Sequence, residues 1–220
     1  MKILGKSSAN LITILRIILV FTLLPLIYLT HYLTHSNPDG SIPNNLIFII
    51  IFIFSALTDY LDGFIARKFK QQTLFGKCFD PIADKLLVVI SFLYLYILSI
   101  KNFLIHQEEE KINPTVTIFI MAVLITSIFR DLLIMGIRIL NAFEKNPTIT
   151  SSFWGKSKTF ITFISIIFLL CSRYLQSSFS LSASLITYLI IFCLIINIIL
   201  IIVSGFEYIL KYYRVVLKTF

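Results

Sequence analysis

The sequence predicts an all-α, polytopic membrane protein with six transmembrane helices. Three observations carry that prediction. The 220 residues are 58% hydrophobic, with a mean hydropathy of +0.93, far outside the range of an ordinary soluble domain. The apolar runs are each long enough to cross a bilayer. The basic residues, which give a net charge of +8, gather in alternate loops between those runs. Such a bias sets topology and contacts lipid headgroups, so no nucleic-acid partner is expected. Residues 1–220 read as a single membrane domain. Cys78, Cys171 and Cys193 are too few and too scattered for a disulfide framework or a zinc site.

The first helix is expected over about residues 9–32, capped by Ser8 or Asn10, with Arg16 about two turns inside it. That apolar block is long and reads as a retained helix rather than a cleaved signal. Residues 31–45 carry Pro38-Asp39-Gly40 and Pro43 but no Lys or Arg, which makes them an extracytoplasmic turn-rich loop. His31 and His35 are four apart but lack a third ligand, so they read as interfacial polar residues. The second helix is expected over about 45–68, followed by a basic cytoplasmic loop, and the third over about 79–100 with Pro81 in its first turn. The acidic loop after it, with Glu108, Glu109 and Glu110, falls outside the cell. The fourth helix covers about 114–140, the fifth 155–174 and the sixth 181–210, with a basic tail. Both termini then lie on the cytoplasmic side.

The chemistry concentrates in residues 59–84. Asp59 and Asp62 are three apart and Asp80 and Asp84 four apart, so each pair shares a helix face. Charges at membrane depth cost roughly 2.5 kcal/mol or more unless paired or hydrated. Four carboxylates around one point require a cation. Oxygen-only ligands suit Mg²⁺ or Mn²⁺ rather than zinc. With Arg67 beside them, they indicate a diphosphate substrate. Gly63, Ala66 and Gly76 let a backbone or a nucleotide approach closely.

The full pattern, D-x2-D-G-x2-A-R-x8-G-x3-D-x3-D, resembles position for position the signature of the CDP-alcohol phosphatidyltransferase family. The resemblance implies CDP-diacylglycerol as donor, CMP as leaving group, two divalent cations on Asp59, Asp62, Asp80 and Asp84, and Asp84 as general base. It further implies that Gly63, Ala66, Arg67, Thr73 and Gly76 cradle the cytidine nucleotide, with Asn10 and Thr13 at its head group. The run N-L-x-T-x-x-R at Asn10 to Arg16 is similar to the start of that family's first membrane helix. The family also implies a homodimer, and the short loops suggest a bacterial inner membrane with the active site facing the cytoplasm.

Arg130, Asp131 and Arg138 lie near the cytoplasmic end of the fourth helix, in an otherwise apolar run that demands pairing or a polar cavity. Gly155-Lys156-Ser157-Lys158-Thr159 opens the fifth, where lysines at a helix N-terminus favour an anion. Together, R-D-x6-R and G-K-x-K-T resemble the branch of the family that uses sn-glycerol 3-phosphate. That branch typically has Glu where this chain has Asp131, and Gln where it has Thr162. Arg130, Arg138, Lys156 and Lys158 are therefore the expected acceptor-phosphate pocket. Phosphatidylglycerol, an inositol phosphate or serine are the other acceptors to weigh. A membrane prenyltransferase also binds a Mg²⁺-diphosphate with aspartates, but the Asp-Gly-x2-Ala-Arg core speaks against it. A divalent-cation transporter would account for the carboxylates but not for Arg67, Gly76 and the two lysines.

Overall fold

The computed structural model describes residues 14, 17–28, 46–58, 74–100, 104, 113–143 and 153–218. Among them every regular element is an α-helix. We label these α1 (Ile17–Tyr28), α2 (Leu46–Thr58), α3 (Leu74–Ile100), α4 (Pro114–Phe143), α5 (Phe153–Phe179) and α6 (Ala183–Lys218). Four stretches are long and apolar enough to span a membrane: Ile82–Ile100, Pro114–Arg138, Phe153–Phe179 and Ala183–Tyr212. The described parts of α1 and α2 are shorter, and the remainder of the first two expected spans lies outside the described residues.

The distribution of side chains is that of a protein solvated by lipid. Ser91, Ser127, Ser165, Asn197, Ser204 and even Lys158 are buried, while Tyr188, Phe192, Phe206 and Leu210 are exposed along α6. Water would penalise those exposed aromatics by about 25 cal/mol per Å². Hydrocarbon does not, and it instead requires polar groups to find partners inside the protein.

The chain divides into two compact units, Met1–Tyr94 and Leu95–Phe220. In the first, Phe48, Phe52 and Ser55 of α2 recur at helical spacing and are fully buried. Phe48 stacks on Tyr94 of α3 with ring centres 3.9 Å apart. α3 begins at Leu74, about five residues before the expected start, so Pro81 lies inside the helix rather than in its first turn. Proline in a helix interior lacks one donor and crowds the carbonyl four residues earlier. Membrane helices accommodate this where local adjustments satisfy the freed carbonyl.

In the second unit α6 packs against both α4 and α5. A tight turn joins α5 to α6. Ser180 adopts a left-handed conformation (φ 48°), and the Leu181 amide returns to the Gln176 carbonyl at 3.2 Å, the geometry of a Schellman stop. Ser182 then caps α6, accepting the Leu185 amide at 3.4 Å. Midway along the pair, Asn197 of α6 is fully buried between Thr162 and Ser165 of α5. Its amide nitrogen donates to the Ser165 hydroxyl and to its own helix at the Cys193 carbonyl (3.1 Å), and its oxygen accepts from Thr162 (3.0 Å). Hydrogen bonds between membrane helices contribute about 0.6 kcal/mol each, up to about 1.7. Asn197→Ala is therefore expected to lower unfolding stability in mild detergent by about 1–2 kcal/mol. Ser165→Ala in the Asn197→Ala background should add little. Additive losses would show that the two residues act separately.

Candidate active site

The charged residues that the sequence places near the end of α4 are paired. Asp131 accepts from Arg130 Nη1 at 2.8 Å through Oδ1, and its Oδ2 lies 3.7 Å from Nζ of Lys158 on α5. The Lys158 side chain is only 6% exposed. An ammonium that far from solvent keeps its charge only beside a counter-charge. Asp131 provides one while also gripping Arg130. One carboxylate between two cations leaves a positive centre rather than a neutral pair. This mutual pairing answers the cost of charge in an apolar run. Here the shorter Asp131, standing where the branch typically carries Glu, reaches both cations.

α6 supplies two further groups. Arg130 Nε donates to Ser204 Oγ at 3.2 Å. Arg138 donates from Nε and Nη2 to the hydroxyl of Tyr208 at 3.4 and 3.2 Å. Tyr208 is buried and Arg138 is exposed, so the tyrosine anchors one edge of an otherwise accessible guanidinium. Sequence reasoning did not single out Ser204 or Tyr208. Each is an isolated hydroxyl in a long apolar helix, about seventy residues from its arginine, and no spacing rule links them.

The two lysines of the G-K-x-K-T run part company. α5 starts at Phe153, so both lie within its first two turns. Residues two apart on a helix point roughly 200° from each other. Lys158 accordingly faces inward to Asp131 while Lys156 is exposed. Thr162, in the position where the branch has Gln, is buried and meets the amide of Asn197. A carboxamide is thus present at this level, carried by α6 instead of α5.

Of the acidic motif, Asp84 is half-buried in α3. Asp80 and Gly76 precede it by one and two turns of the same continuous helix, which puts the three positions on one face. Two carboxylate positions on one stripe, with oxygen the only donor type, fit a hard divalent cation. Asp59, Asp62, Gly63, Ala66, Arg67 and Thr73 lie outside the described residues, as do Asn10 and Thr13. No group of three or more His, Cys, Asp or Glu residues is assembled among the described residues.

Four helices long and apolar enough to span a membrane, with charged residues paired between α4 and α5, are the marks of a membrane protein. The chain belongs to the CDP-alcohol phosphatidyltransferase family, whose model matches residues 6–200. That family is generally dependent on a divalent metal. Several relatives share the name CDP-diacylglycerol–glycerol-3-phosphate 3-phosphatidyltransferase. The protein from Wigglesworthia glossinidia brevipalpis is 32% identical over 204 residues, covering 93% of this chain and 91% of that protein. The one from Aquifex aeolicus is 30% identical over 175 residues, or 80% and 85% of the two chains. The one from Rickettsia felis is 30% identical over 156 residues, or 71% and 70%.

Proposed function

We propose that this chain transfers the phosphatidyl group of CDP-diacylglycerol to sn-glycerol 3-phosphate, releasing CMP and forming phosphatidylglycerophosphate. The observation that carries the acceptor is the cluster of Arg130, Asp131 and Lys158. With Arg138 two turns further along α4, three cations and one carboxylate leave two positive charges. A phosphate monoester brings about two negative ones near neutral pH. Serine would leave such a centre uncompensated. The names of the relatives agree with this acceptor.

In the reaction, an acceptor hydroxyl oxygen forms a new bond to the phosphorus that bears diacylglycerol. The phosphoanhydride bond breaks, and CMP departs with the bridging oxygen. Asp84 takes the hydroxyl proton as that oxygen attacks. Gly63, Ala66, Arg67, Thr73 and Gly76 hold the cytidine nucleotide, with Asn10 and Thr13 at its head group. Asp59, Asp62, Asp80 and Asp84 are the residues that would hold two Mg²⁺ or Mn²⁺ ions, which when bound would neutralise the diphosphate and stabilise its developing charge. Arg130, Arg138 and Lys158 bind the acceptor phosphate. Lys156, exposed one turn from the start of α5, adds positive charge at the mouth of that pocket. The enzyme works in a bacterial inner membrane, with its site open to the cytoplasm where both water-soluble participants reside, and as a homodimer.

The test is transfer from labelled CDP-diacylglycerol in proteoliposomes, with glycerol 3-phosphate, phosphatidylglycerol, an inositol phosphate and serine as competing acceptors. Glycerol 3-phosphate should be the acceptor used, and labelled product with another acceptor instead would overturn the assignment. Lys158→Met should raise KM for glycerol 3-phosphate about 10- to 150-fold, the worth of a charged hydrogen bond. Lys156→Gln, as a surface change, should stay within about twofold.

A further inference from the structure

α6 is longer than a bilayer requires. It runs 36 residues, from Ala183 to Lys218, a rise of about 54 Å. From Ala183 to Phe206 it carries no Asp, Glu, Lys or Arg. That stretch rises about 35 Å, more than the roughly 30 Å of a hydrocarbon core. The remainder, Glu207 to Lys218, therefore stands beyond the hydrocarbon, in a headgroup layer about 6 Å deep and the water past it. Aromatic residues mark the same level. Tyr208 and Tyr212 pack with ring centres 5.4 Å apart, and Trp154 is exposed at the start of α5. α5 and α6 run antiparallel, with Asn197 meeting Thr162 and Ser165, so Trp154 lies near the level of Gly205 to Tyr208.

This projecting end is basic, and its charge follows the helical period. Lys211, Arg214 and Lys218 are spaced by three and four, which places the three positions along one helix face, with Val215, Val216 and Leu217 between the last two. Lys211 is exposed, its ammonium 5.9 Å from the centre of the Tyr212 ring, and among the described residues it pairs with no carboxylate. Glu207, one turn earlier, is the one acid of α6 and turns its Oε2 into the protein. Two simpler causes fall short. The helix dipole favours cations only within the last turn, and Lys211 lies two turns from the end. A topology bias needs positive charge on one side of the membrane, but no stripe. Basic residues at helical spacing, interleaved with apolar ones at headgroup level, make a surface that attracts anionic lipid.

We propose that the end of α6 is a binding surface for the headgroups of anionic phospholipids, held by Lys211, Arg214 and Lys218. The occupant is lipid rather than free phosphate because the stripe stands at headgroup level, where the membrane itself concentrates the negative charge. The surface selects the lipids that surround the protein and takes no part in transfer. It is independent of which alcohol accepts the phosphatidyl group.

Trp154 is the single tryptophan of the chain and reports on this level of the membrane. The full chain is placed in phosphatidylcholine vesicles that hold a fraction of acyl-brominated phosphatidylglycerol or, separately, of acyl-brominated phosphatidylcholine, with no CDP-diacylglycerol present. Bromine quenches indole on contact, so the fluorescence reads the local lipid composition. Each basic residue near a charged surface is worth about fivefold in preference, so half-maximal quenching should need at least about fivefold less of the brominated phosphatidylglycerol. Salt at about 1 M, where the Debye length is about 3 Å, should remove most of that difference. The triple variant Lys211→Gln, Arg214→Gln, Lys218→Gln should bring the two lipids within about twofold of each other. The charge-keeping variant Lys211→Arg, Arg214→Lys, Lys218→Arg should retain the preference of the unaltered chain. Saturating glycerol 3-phosphate should leave the preference intact. Equal quenching by the two lipids in the unaltered chain would overturn the proposal, as would a preference that survives the triple Gln variant. A preference abolished by glycerol 3-phosphate would place the lipid at the cationic centre of α4 and α5 instead, and would equally overturn it.

Discussion

Chelation with EDTA is expected to abolish phosphatidyl transfer, and added Mg²⁺ or Mn²⁺ to restore it. This outcome is expected because Asp59, Asp62, Asp80 and Asp84 are four carboxylates within 26 positions, in a motif bounded by apolar helices. Without counter-charge their repulsion would drive protonation of some of them, and they could not approach a diphosphate that is itself anionic. A bound divalent ion contributes several kcal/mol of charge stabilisation in the transition state. At 1.36 kcal/mol per decade, its loss should cost on the order of 10³-fold or more. Calcium is a useful contrast. It is larger and takes more ligands in looser geometry than Mg²⁺, so it should bind to the carboxylates and support transfer poorly. Undiminished turnover after exhaustive chelation would remove the metal from the mechanism and leave the acidic motif without a role.

Much of this was legible in the sequence, for identifiable physical reasons. Helix type and order follow from apolar length, since a bilayer admits few alternatives. The acidic motif stood out because carboxylates in apolar surroundings are costly enough to need a cause. The pairing of Arg130 with Asp131 could be anticipated because adjacent opposite charges at depth neutralise one another. What the sequence hid were contacts between helices. Asp131 to Lys158, Arg130 to Ser204 and Arg138 to Tyr208 each join residues 27 or more positions apart, and only packing of α6 against α4 and α5 brings α6 to them. Lys156 and Lys158 differ in burial, which the run G-K-x-K-T does not display on its face. The helical period alone separates residues two apart, and Lys156 is indeed exposed while Lys158 is buried. The early start of α3 was obscured by Pro81, which biases any reading toward a helix that begins nearby.

Asp84→Asn should lower kcat roughly 10²- to 10⁴-fold, the range for loss of a general base. The substitution keeps the size of the side chain and one acceptor oxygen but removes its basicity. Asp84 sits in the continuous helix α3 and is half-buried, so the backbone position of the variant should hold. KM for CDP-diacylglycerol should change much less than kcat, since the nucleotide cradle is assigned to other residues. Asp84 is also a proposed metal ligand, and the two roles leave different signatures. If it served only as a ligand, Asp84→Asn would weaken metal binding, and activity would return at high Mg²⁺ or Mn²⁺. If it is the base, saturating metal cannot replace the missing proton acceptor and the defect persists. Asp84→Glu separates them further. It keeps the charge and basicity but moves the carboxylate by about one methylene, and a misplacement near 1 Å costs on the order of 10²-fold. A base role therefore predicts partial recovery in Asp84→Glu relative to Asp84→Asn. Normal turnover by Asp84→Asn at ordinary metal concentration would transfer the proton to another acceptor, with Asp80, one turn earlier on the same helix face, next in line.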